Sequence, residues 1–176
     1  MKVFYDTEFI EDGKTIDLIS IGMVREDGVE YYAVNLDAPW RRIKKHEWLM
    51  ANVWPSLPRY SGDARIQMGD RLDYGDPAFR TRRRIAAEVR EFLLAVPLGP
   101  ELWAWYGAYD HVVLCQLFGK MIDLPEGIPM WTNDLKQEVM RLGDPRLPKQ
   151  AEGVHNALAD ARHVKAMYEQ ITAGAR

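Results

Sequence analysis

The sequence predicts a mixed α/β fold in which an antiparallel meander of three strands is followed by alternating strands and helices. The first half has three apolar segments joined by short turns, whereas short apolar segments alternate with helical ones in the second half. The composition, 47% hydrophobic and 28% charged over 176 residues, is that of an ordinary globular domain. We therefore expect a single domain over 1–176, with a long loop insertion at about 52–80.

The predicted strands of the meander lie at 2–9, 16–24 and 29–36. The sequence Glu-Asp-Gly occurs at 11–13 and again at 26–28, and Asp-Gly is typical of tight hairpins. Strands connected by such short turns pair as antiparallel neighbours.

The elements of the second half follow from helical spacing and from turn-forming residues. Ile85, Val89, Phe92 and Val96 recur at helical intervals. Asn156 is the expected N-cap of the last helix, because its side chain can accept from the first free amides. The predicted helices lie at 40–50, 81–96, 109–121, 133–142 and 157–172, and two further strands, expected to be parallel, lie at 102–106 and 128–131.

Charge, cysteine content and motifs exclude several classes of protein. A net charge of −3 argues against a protein that coats long nucleic acids, and no segment approaches the roughly 18 apolar residues that span a membrane. Cys115 is the one cysteine, so no internal disulfide can form and a cytoplasmic location is expected. The phosphate-binding GxxxxGKS/T, the dinucleotide-binding GxGxxG and the GxSxG nucleophile motif are all missing from the sequence.

Two carboxylates lie at the end of the first predicted strand. Asp6 and Glu8 are two residues apart, so their side chains project to the same face. The preceding Val-Phe-Tyr run is typical of a buried central strand, where carboxylates are rare without a partner or a metal. The alternative is a solvent-facing pair at the end of an edge strand.

Three further candidates follow later elements. Asp110 comes after the 102–106 strand, where ligand sites gather, although it could simply cap the next helix. His155 and Asp160 flank the start of the last helix, and five helical residues turn through roughly 500°, so they can converge only if His155 precedes the cap. The alternative is a surface histidine before a helix with a favourable acidic first turn. Small residues would let this helix approach the sheet closely: Ala157, Ala159 and Ala161.

Together these side chains could hold two hard divalent cations. Mg²⁺ and Mn²⁺ prefer oxygen ligands, and a pair of such ions can clamp the attacking and leaving oxygens of a phosphodiester displacement. An imidazole exchanges protons near neutral pH and can accept one from water.

The order Asp-x-Glu, Asp, His-x-x-x-x-Asp resembles that of the DEDD exonucleases, in their histidine-bearing DEDDh branch. The match extends from Asp6 to Asp160, and His-Asn-Ala-Leu-Ala-Asp-Ala at 155–161 is similar to the third motif of the family; Tyr106 stands where the family usually has Asn. The resemblance implies a ribonuclease H-like fold, with a five-stranded mixed sheet between helices, and two-metal release of nucleoside 5′-monophosphates from 3′ ends. It also implies that His155 is the general base and that the metal ligands are Asp6, Glu8, Asp110 and Asp160.

Within that family, the opening Val-Phe-Tyr-Asp-Thr-Glu-Phe is similar to small actinobacterial and phage exoribonucleases of the exoribonuclease AS type, which include a poly(A)-preferring member. The resemblance implies a single-stranded RNA 3′ end as partner and a homo-oligomer. It also implies that the backbone of Thr7 and Phe9 holds the terminal nucleotide and that Glu8 accepts a hydrogen bond from a ribose hydroxyl. His155 is the fourth residue expected to contact the substrate. Phe9 is also a candidate stacking surface for a base.

Two other functions are compatible with the same motifs. One is a DNA 3′-5′ exonuclease, and the other is a non-catalytic nucleic-acid-binding module of the same fold. Most tryptophans are expected in the core or in oligomer contacts: Trp40, Trp48, Trp54, Trp103 and Trp105.

Overall fold

The computed structural model describes residues 1–60 and 71–173, and a six-stranded mixed sheet lies at its centre, with the strand order β4-β3-β2-β1-β5-β6. Strands β1, β2 and β3 form the antiparallel meander, whereas β4, β5 and β6 join it in parallel. The predicted mixed α/β class is therefore confirmed. The strands are β1 (Lys2–Glu11), β2 (Ile16–Arg25), β3 (Glu30–Asn35), β4 (Phe79–Arg80), β5 (Glu101–Ala104) and β6 (Asn133–Asp134).

The sheet differs from the predicted five strands at both edges. The additional strand, β4, pairs with β3 at Val34 and Asn35, inside the segment that was expected to be a loop insertion. The strand predicted at 128–131 is wrong, because β6 pairs with β5 only at 133 and 134, while Ile128 packs in the core instead. Two-residue strands are too short to show the alternation on which a sequence prediction depends.

The helices are close to their predicted positions, with one break. The helix expected at 40–50 is divided by a turn, and the Nδ1 of His46 caps the second part by accepting from the Leu49 amide at 3.3 Å. Asn156 caps the last helix as predicted, accepting from the Ala159 amide at 3.1 Å. The helices are α1 (Trp40–Ile43), α2 (Glu47–Asn52), α3 (Arg82–Leu94), α4 (Ala108–Gln116), α5 (Leu135–Arg141) and α6 (Ala157–Ala173).

Of the loop insertion predicted at about 52–80, residues 61–70 lie outside the described residues. The described remainder contains a 3-10 helix at Trp54–Ser56 and a bridge between Arg59 and Leu72, and a second 3-10 helix lies at Met121–Asp123. No helix in the described part of the chain is both long enough and apolar enough to cross a membrane.

Both faces of the sheet are covered, and alternation along β1 decides which side chains meet which helices. Val3 and Tyr5 pack in the apolar cluster of α3 and α4 on one face. On the other face, Phe4 packs against α5 and α6, and Ile10 packs with α1 and α2. Because side chains two residues apart share a face, Asp6 and Glu8 lie on the same face of β1 as Phe4 and Ile10, between those two apolar clusters.

Helix α6 lies unusually close to the sheet at its first turn. A Cβ at Gly22 of β2 would be 2.3 Å from the backbone of Ala157, so only glycine is compatible with this approach. Ala157 and Ala161 are fully buried, which agrees with the expectation from their size. Ala159 instead faces Gly153, where an added Cβ would lie 2.8 Å from the Cβ of Ala159. This approach brings the start of α6 to the centre of the sheet.

Candidate active site

The structure brings every predicted site residue to one cavity of about 490 Å³. The cavity lies where β1, the start of α4 and the start of α6 meet. The predicted residues that line it are Asp6, Thr7, Glu8, Phe9, Asp110, His155 and Asp160. The other lining residues are Trp105, Leu147, Pro148, Gln150, Val154, His163, Val164 and Met167.

A bulge in β2 lies opposite the step from Glu8 to Phe9 in β1, the strand that carries the first two carboxylates. Glu8 pairs with Ser20 of β2 and Phe9 with Leu18, so Ile19 is an extra residue opposite this step. Such bulges increase the local twist and redirect side chains, and they recur next to active sites. Glu8 is only 8% exposed, although its carboxylate lines the cavity.

Asp110 provides the hydrogen-bond partner that β1 lacks beyond the point where β5 ends. Strand β5 pairs with β1 only from Lys2 to Phe4, so Thr7 has no partner in β5. Instead, Asp110 Oδ1 accepts from the Thr7 amide at 2.8 Å and from the Thr7 hydroxyl at 2.7 Å. Asp110 lines the cavity beside this contact.

These bonds bear on two of the sequence-based interpretations. Asp110 is not the cap of α4, because Gly107 occupies that position and Asp110 lies in the first turn of the helix. Both hydrogen-bond donors of Thr7 are engaged by Asp110 in this structure, and the contact of its backbone with a nucleotide stays a prediction. In the structure, Thr7 orients a carboxylate of the site.

His155 and Asp160 converge because His155 precedes the cap of α6. The Asp160 carboxylate accepts from the His155 amide at 2.9 Å and from Gln150 Nε2 at 2.6 Å. His155 Nδ1 lies 4.0 Å from Glu8 Oε1. His155 has a φ of +65°, a left-handed conformation that costs a non-glycine residue roughly 1–3 kcal/mol. The surrounding contacts must therefore stabilise this turn.

Burial raises the pKa of all four carboxylates, and repulsion from acidic neighbours in the site adds to the rise at Asp6 and Glu8. Burial, followed by the charges of Asp160 and Asp110, raises the pKa of Glu8 to about 8. Burial also raises the pKa of Asp110 to about 6, although the bonds from Thr7 oppose this. The pKa of Asp6 is well above its usual range because of burial and its acidic neighbours, and burial raises the pKa of Asp160.

The donor set fits hard divalent cations. Among the described residues, no ion pair joins a lysine or arginine to these four carboxylates, so their charge is not balanced by basic side chains. Ligand atoms of Glu8, His155 and Asp160 all lie within 4.8 Å of one another. A cluster of hard oxygen ligands with unbalanced negative charge is the environment that Mg²⁺ and Mn²⁺ favour.

Three residues that contact the site were not predicted as site residues from the sequence. Gln150 bonds Asp160 from a loop, and Ser56 lies against the turn at His155. Trp48, expected in the core or in an oligomer contact, is 51% exposed, with its ring centroid 4.9 Å from that of His155. Trp48 precedes the buried Leu49 on a short helix. Consecutive helical residues point in different directions, so this position was the available signal that Trp48 faces outward. No local sequence pattern indicates the contacts of Gln150 or Ser56.

Known proteins resemble this chain over nearly its full length. The family model described as a 3′-5′ exoribonuclease Rv2179c-like domain matches residues 1–172. The chain is 43% identical over 173 residues to the 3′-5′ exoribonuclease Rv2179c of Mycobacterium tuberculosis strain H37Rv, covering 98% of this chain and 94% of that protein. The 3′-5′ exoribonuclease MT2234.1 of Mycobacterium tuberculosis strain CDC 1551 has the same identity and coverage.

Among solved structures, the Mg²⁺- and Mn²⁺-bound form of S. pombe Pop2p aligns with a TM-score of 0.46 and 14% identity, over 98% of this chain and 82% of that one. The family match confirms the exoribonuclease resemblance read from the sequence motifs. The chain belongs to the Rv2179c-like family of 3′-5′ exoribonuclease domains.

Proposed function

We propose that this chain is a metal-dependent 3′-5′ exoribonuclease that releases nucleoside 5′-monophosphates from the 3′ ends of single-stranded RNA. The observation that carries the proposal is the convergence of four carboxylates and His155 on one cavity. Membership of the Rv2179c-like family supports the reaction class and its direction.

The proposed cation ligands are the four carboxylates that line the cavity. Burial raises the pKa of Glu8 to about 8 and that of Asp110 to about 6, so cations would displace protons on binding. Two bound divalent ions, Mg²⁺ or Mn²⁺, would supply electrostatic stabilisation of the attacking and leaving oxygens. The two hydrogen bonds from Thr7 keep Asp110 in place at the cavity.

The proposed role of His155 is to accept the proton of the attacking water. An imidazole exchanges protons near neutral pH, and general base catalysis typically contributes about 10²–10⁴-fold in rate. The Glu8 carboxylate, 4.0 Å from Nδ1, would stabilise the positive charge that the ring gains. The hydrogen bond from the His155 amide to the Asp160 carboxylate fixes the position of the proposed base relative to a proposed cation ligand.

The remaining walls of the cavity suit a single nucleotide. A volume of about 490 Å³ lies in the range of small-molecule sites. Phe9 lines the cavity and its ring stacks on Tyr109, with centroids 5.9 Å apart and planes at 12°, so Tyr109 fixes the proposed stacking surface. Trp105, Leu147 and Met167 supply apolar walls for a base. Glu8 and His155 stay the proposed polar contacts of the terminal nucleotide.

Product analysis on 5′-labelled oligonucleotides tests this proposal. RNAs ending in runs of each base, and matched DNAs, would be incubated with Mg²⁺, with Mn²⁺ and with chelator. We expect RNA ladders that shorten from the 3′ end, release of 5′-monophosphates, loss of activity on chelation, and the adenine preference that the resemblance implies. Shortening from the 5′ end, equal digestion of DNA, or full activity in chelator would contradict the proposal. A homo-oligomer and a cytoplasmic location also remain predictions.

A further inference from the structure

We propose that Ser56 and Trp48 position His155 for proton transfer, an inference that rests on the proposed function. Both residues belong to the segment formed by α2 and the following 3-10 helix, about 100 residues from His155 in the chain. We name residues 47–56 the support segment. Its proposed role is to hold the proposed general base in a backbone conformation that the base would not keep alone.

The support segment and the turn before α6 are joined by hydrogen bonds in both directions. The Ser56 hydroxyl bonds the carbonyl oxygen of His155, and it also lies 2.8 Å from the carbonyl oxygen of Val53, so its proton is shared. In return, Asn156 Nδ2 donates to the carbonyl oxygen of Ser56 at 3.2 Å. Two neighbouring residues of the turn are therefore attached to one residue of the support segment.

These bonds matter because His155 has a left-handed backbone. Non-glycine residues adopt a φ near +65° only where the surrounding structure determines it. The amide of His155 donates to Asp160, and its carbonyl oxygen accepts from Ser56. Both peptide groups that flank the residue are thus fixed, and Ser56 provides one of the two attachments.

Trp48 acts on the ring of His155 rather than on its backbone. The two ring centroids are 4.9 Å apart with planes at 78°, an edge-to-face arrangement that favours one orientation of the imidazole. The same imidazole has Nδ1 4.0 Å from Glu8 Oε1. The ring is therefore confined between an aromatic side chain and a carboxylate.

The support segment is rigid enough for this role. Leu49, Val53 and Trp54 are almost completely buried in the apolar cluster that also contains Ile10 of β1. Because Ile10 and Glu8 lie on the same face of β1, the support segment is anchored to the strand that carries the proposed cation ligands. Displacement of His155 relative to that strand is thus opposed by the core.

A double-mutant cycle tests whether the two residues act through His155. We expect Ser56→Ala and Trp48→Ala each to lower kcat about tenfold with KM nearly unchanged, since small displacements of a catalytic group can cost up to about 10²-fold. In a His155→Ala background neither substitution should lower kcat further. Ser56→Thr and Trp48→Phe should retain most of the activity. Thr172→Ala, which removes a hydroxyl that bonds a carbonyl of α6, is the matched control and should have no effect.

A spectroscopic measurement tests the positioning without any activity. The chain has four histidines, so the imidazole NMR signals of His155 can be assigned by their loss in His155→Ala. In the metal-free protein we expect Ser56→Ala, which removes no aromatic ring and so no ring-current shift, to shift those signals, and Thr172→Ala to leave them unchanged.

The two measurements separate this inference from the proposed function. Shifted His155 signals in a protein that degrades no RNA would support the positioning and reject the exonuclease. Unmoved signals, or losses in kcat of equal size with and without His155, would overturn the positioning. An increase in KM at constant kcat for Trp48→Ala would also overturn it, because Trp48 would then contact the RNA instead.

Discussion

The four carboxylates of the site are supported in two different ways. In what we call the strand half, Asp6 and Glu8 project from a central strand, and Asp110 is bonded twice by buried Thr7. In the turn half, His155 and Asp160 depend on a left-handed residue and on side chains from loops. In the strand half, backbone pairing of β1 determines the positions of Asp6 and Glu8 and Thr7 attaches Asp110 to that strand, whereas in the turn half no strand pairing among the described residues supports His155 or Asp160. We therefore expect substitutions in the two halves to have different consequences.

The largest expected effect is in the strand half. Asp6→Asn should reduce RNA degradation to the background of the assay, because the substitution removes a proposed cation ligand. It should also stabilise the metal-free protein at pH 8, because the pKa of Asp6 is raised by burial and by acidic neighbours, so its charge is unfavourable there. Activity assays and urea unfolding measure both quantities. Asp144→Asn, an exposed carboxylate paired with Lys136, should change neither. A destabilised Asp6→Asn protein would show that this carboxylate is structural.

The next largest effect concerns proton transfer in the turn half. His155→Ala should lower the rate about 10²–10⁴-fold, the usual contribution of a general base. Binding of Mn²⁺, measured by calorimetry, should change much less than the rate, because the four carboxylates are retained. Full activity of His155→Ala would remove the general-base assignment. Loss of Mn²⁺ binding that accounts for the whole loss in rate would instead make His155 a metal ligand, which its distances to Glu8 and Asp160 permit.

The difference between the halves also explains what the sequence could predict. The meander and the Asp6–Glu8 pair follow from local patterns, namely Asp-Gly turns and the two-residue period of a strand. The N-cap of α6 and the small residues of its first turn are equally local, and they correctly indicated its close approach to the sheet.

What could not be predicted depends on long-range contacts. Strands β4 and β6 have two residues each, and they form only because a neighbouring strand pairs with them. The bonds of Gln150 and Ser56 depend on the paths of loops, for which the local sequence has no pattern. The left-handed conformation of His155 has no sequence signal either, because the residue is not glycine. The support of the turn half was therefore visible only in the structure.

A smaller effect compares the side chains that support each half. Thr7→Val removes the hydroxyl bond to Asp110, and we expect the affinity for Mn²⁺ to fall about 10–100-fold, as is typical when a residue that orients a metal ligand is changed. Gln150→Ala removes the bond to Asp160, but the His155 amide still holds that carboxylate, so the loss should be under about tenfold. Thr7→Ser is the matched control and should bind Mn²⁺ like the unmodified chain. An equal or larger effect of Gln150→Ala would show that the two halves are supported alike.

The smallest expected effect is on the pH dependence of metal-free stability. A carboxylate with a raised pKa in the folded state binds more protons when folded than when unfolded, so its favourable contribution is lost as pH rises towards that pKa. Because the pKa of Glu8 is raised to about 8 by burial, Glu8 alone should lower the free energy of unfolding by roughly 2 kcal/mol between pH 6 and pH 8. Urea unfolding in chelator at both pH values measures this fall. Glu8→Gln should remove a larger share of it than Asp160→Asn, since bonds from Gln150 and from the His155 amide favour the charged form of Asp160. If Asp160→Asn removed the larger part, the unfavourable charge would lie in the turn half.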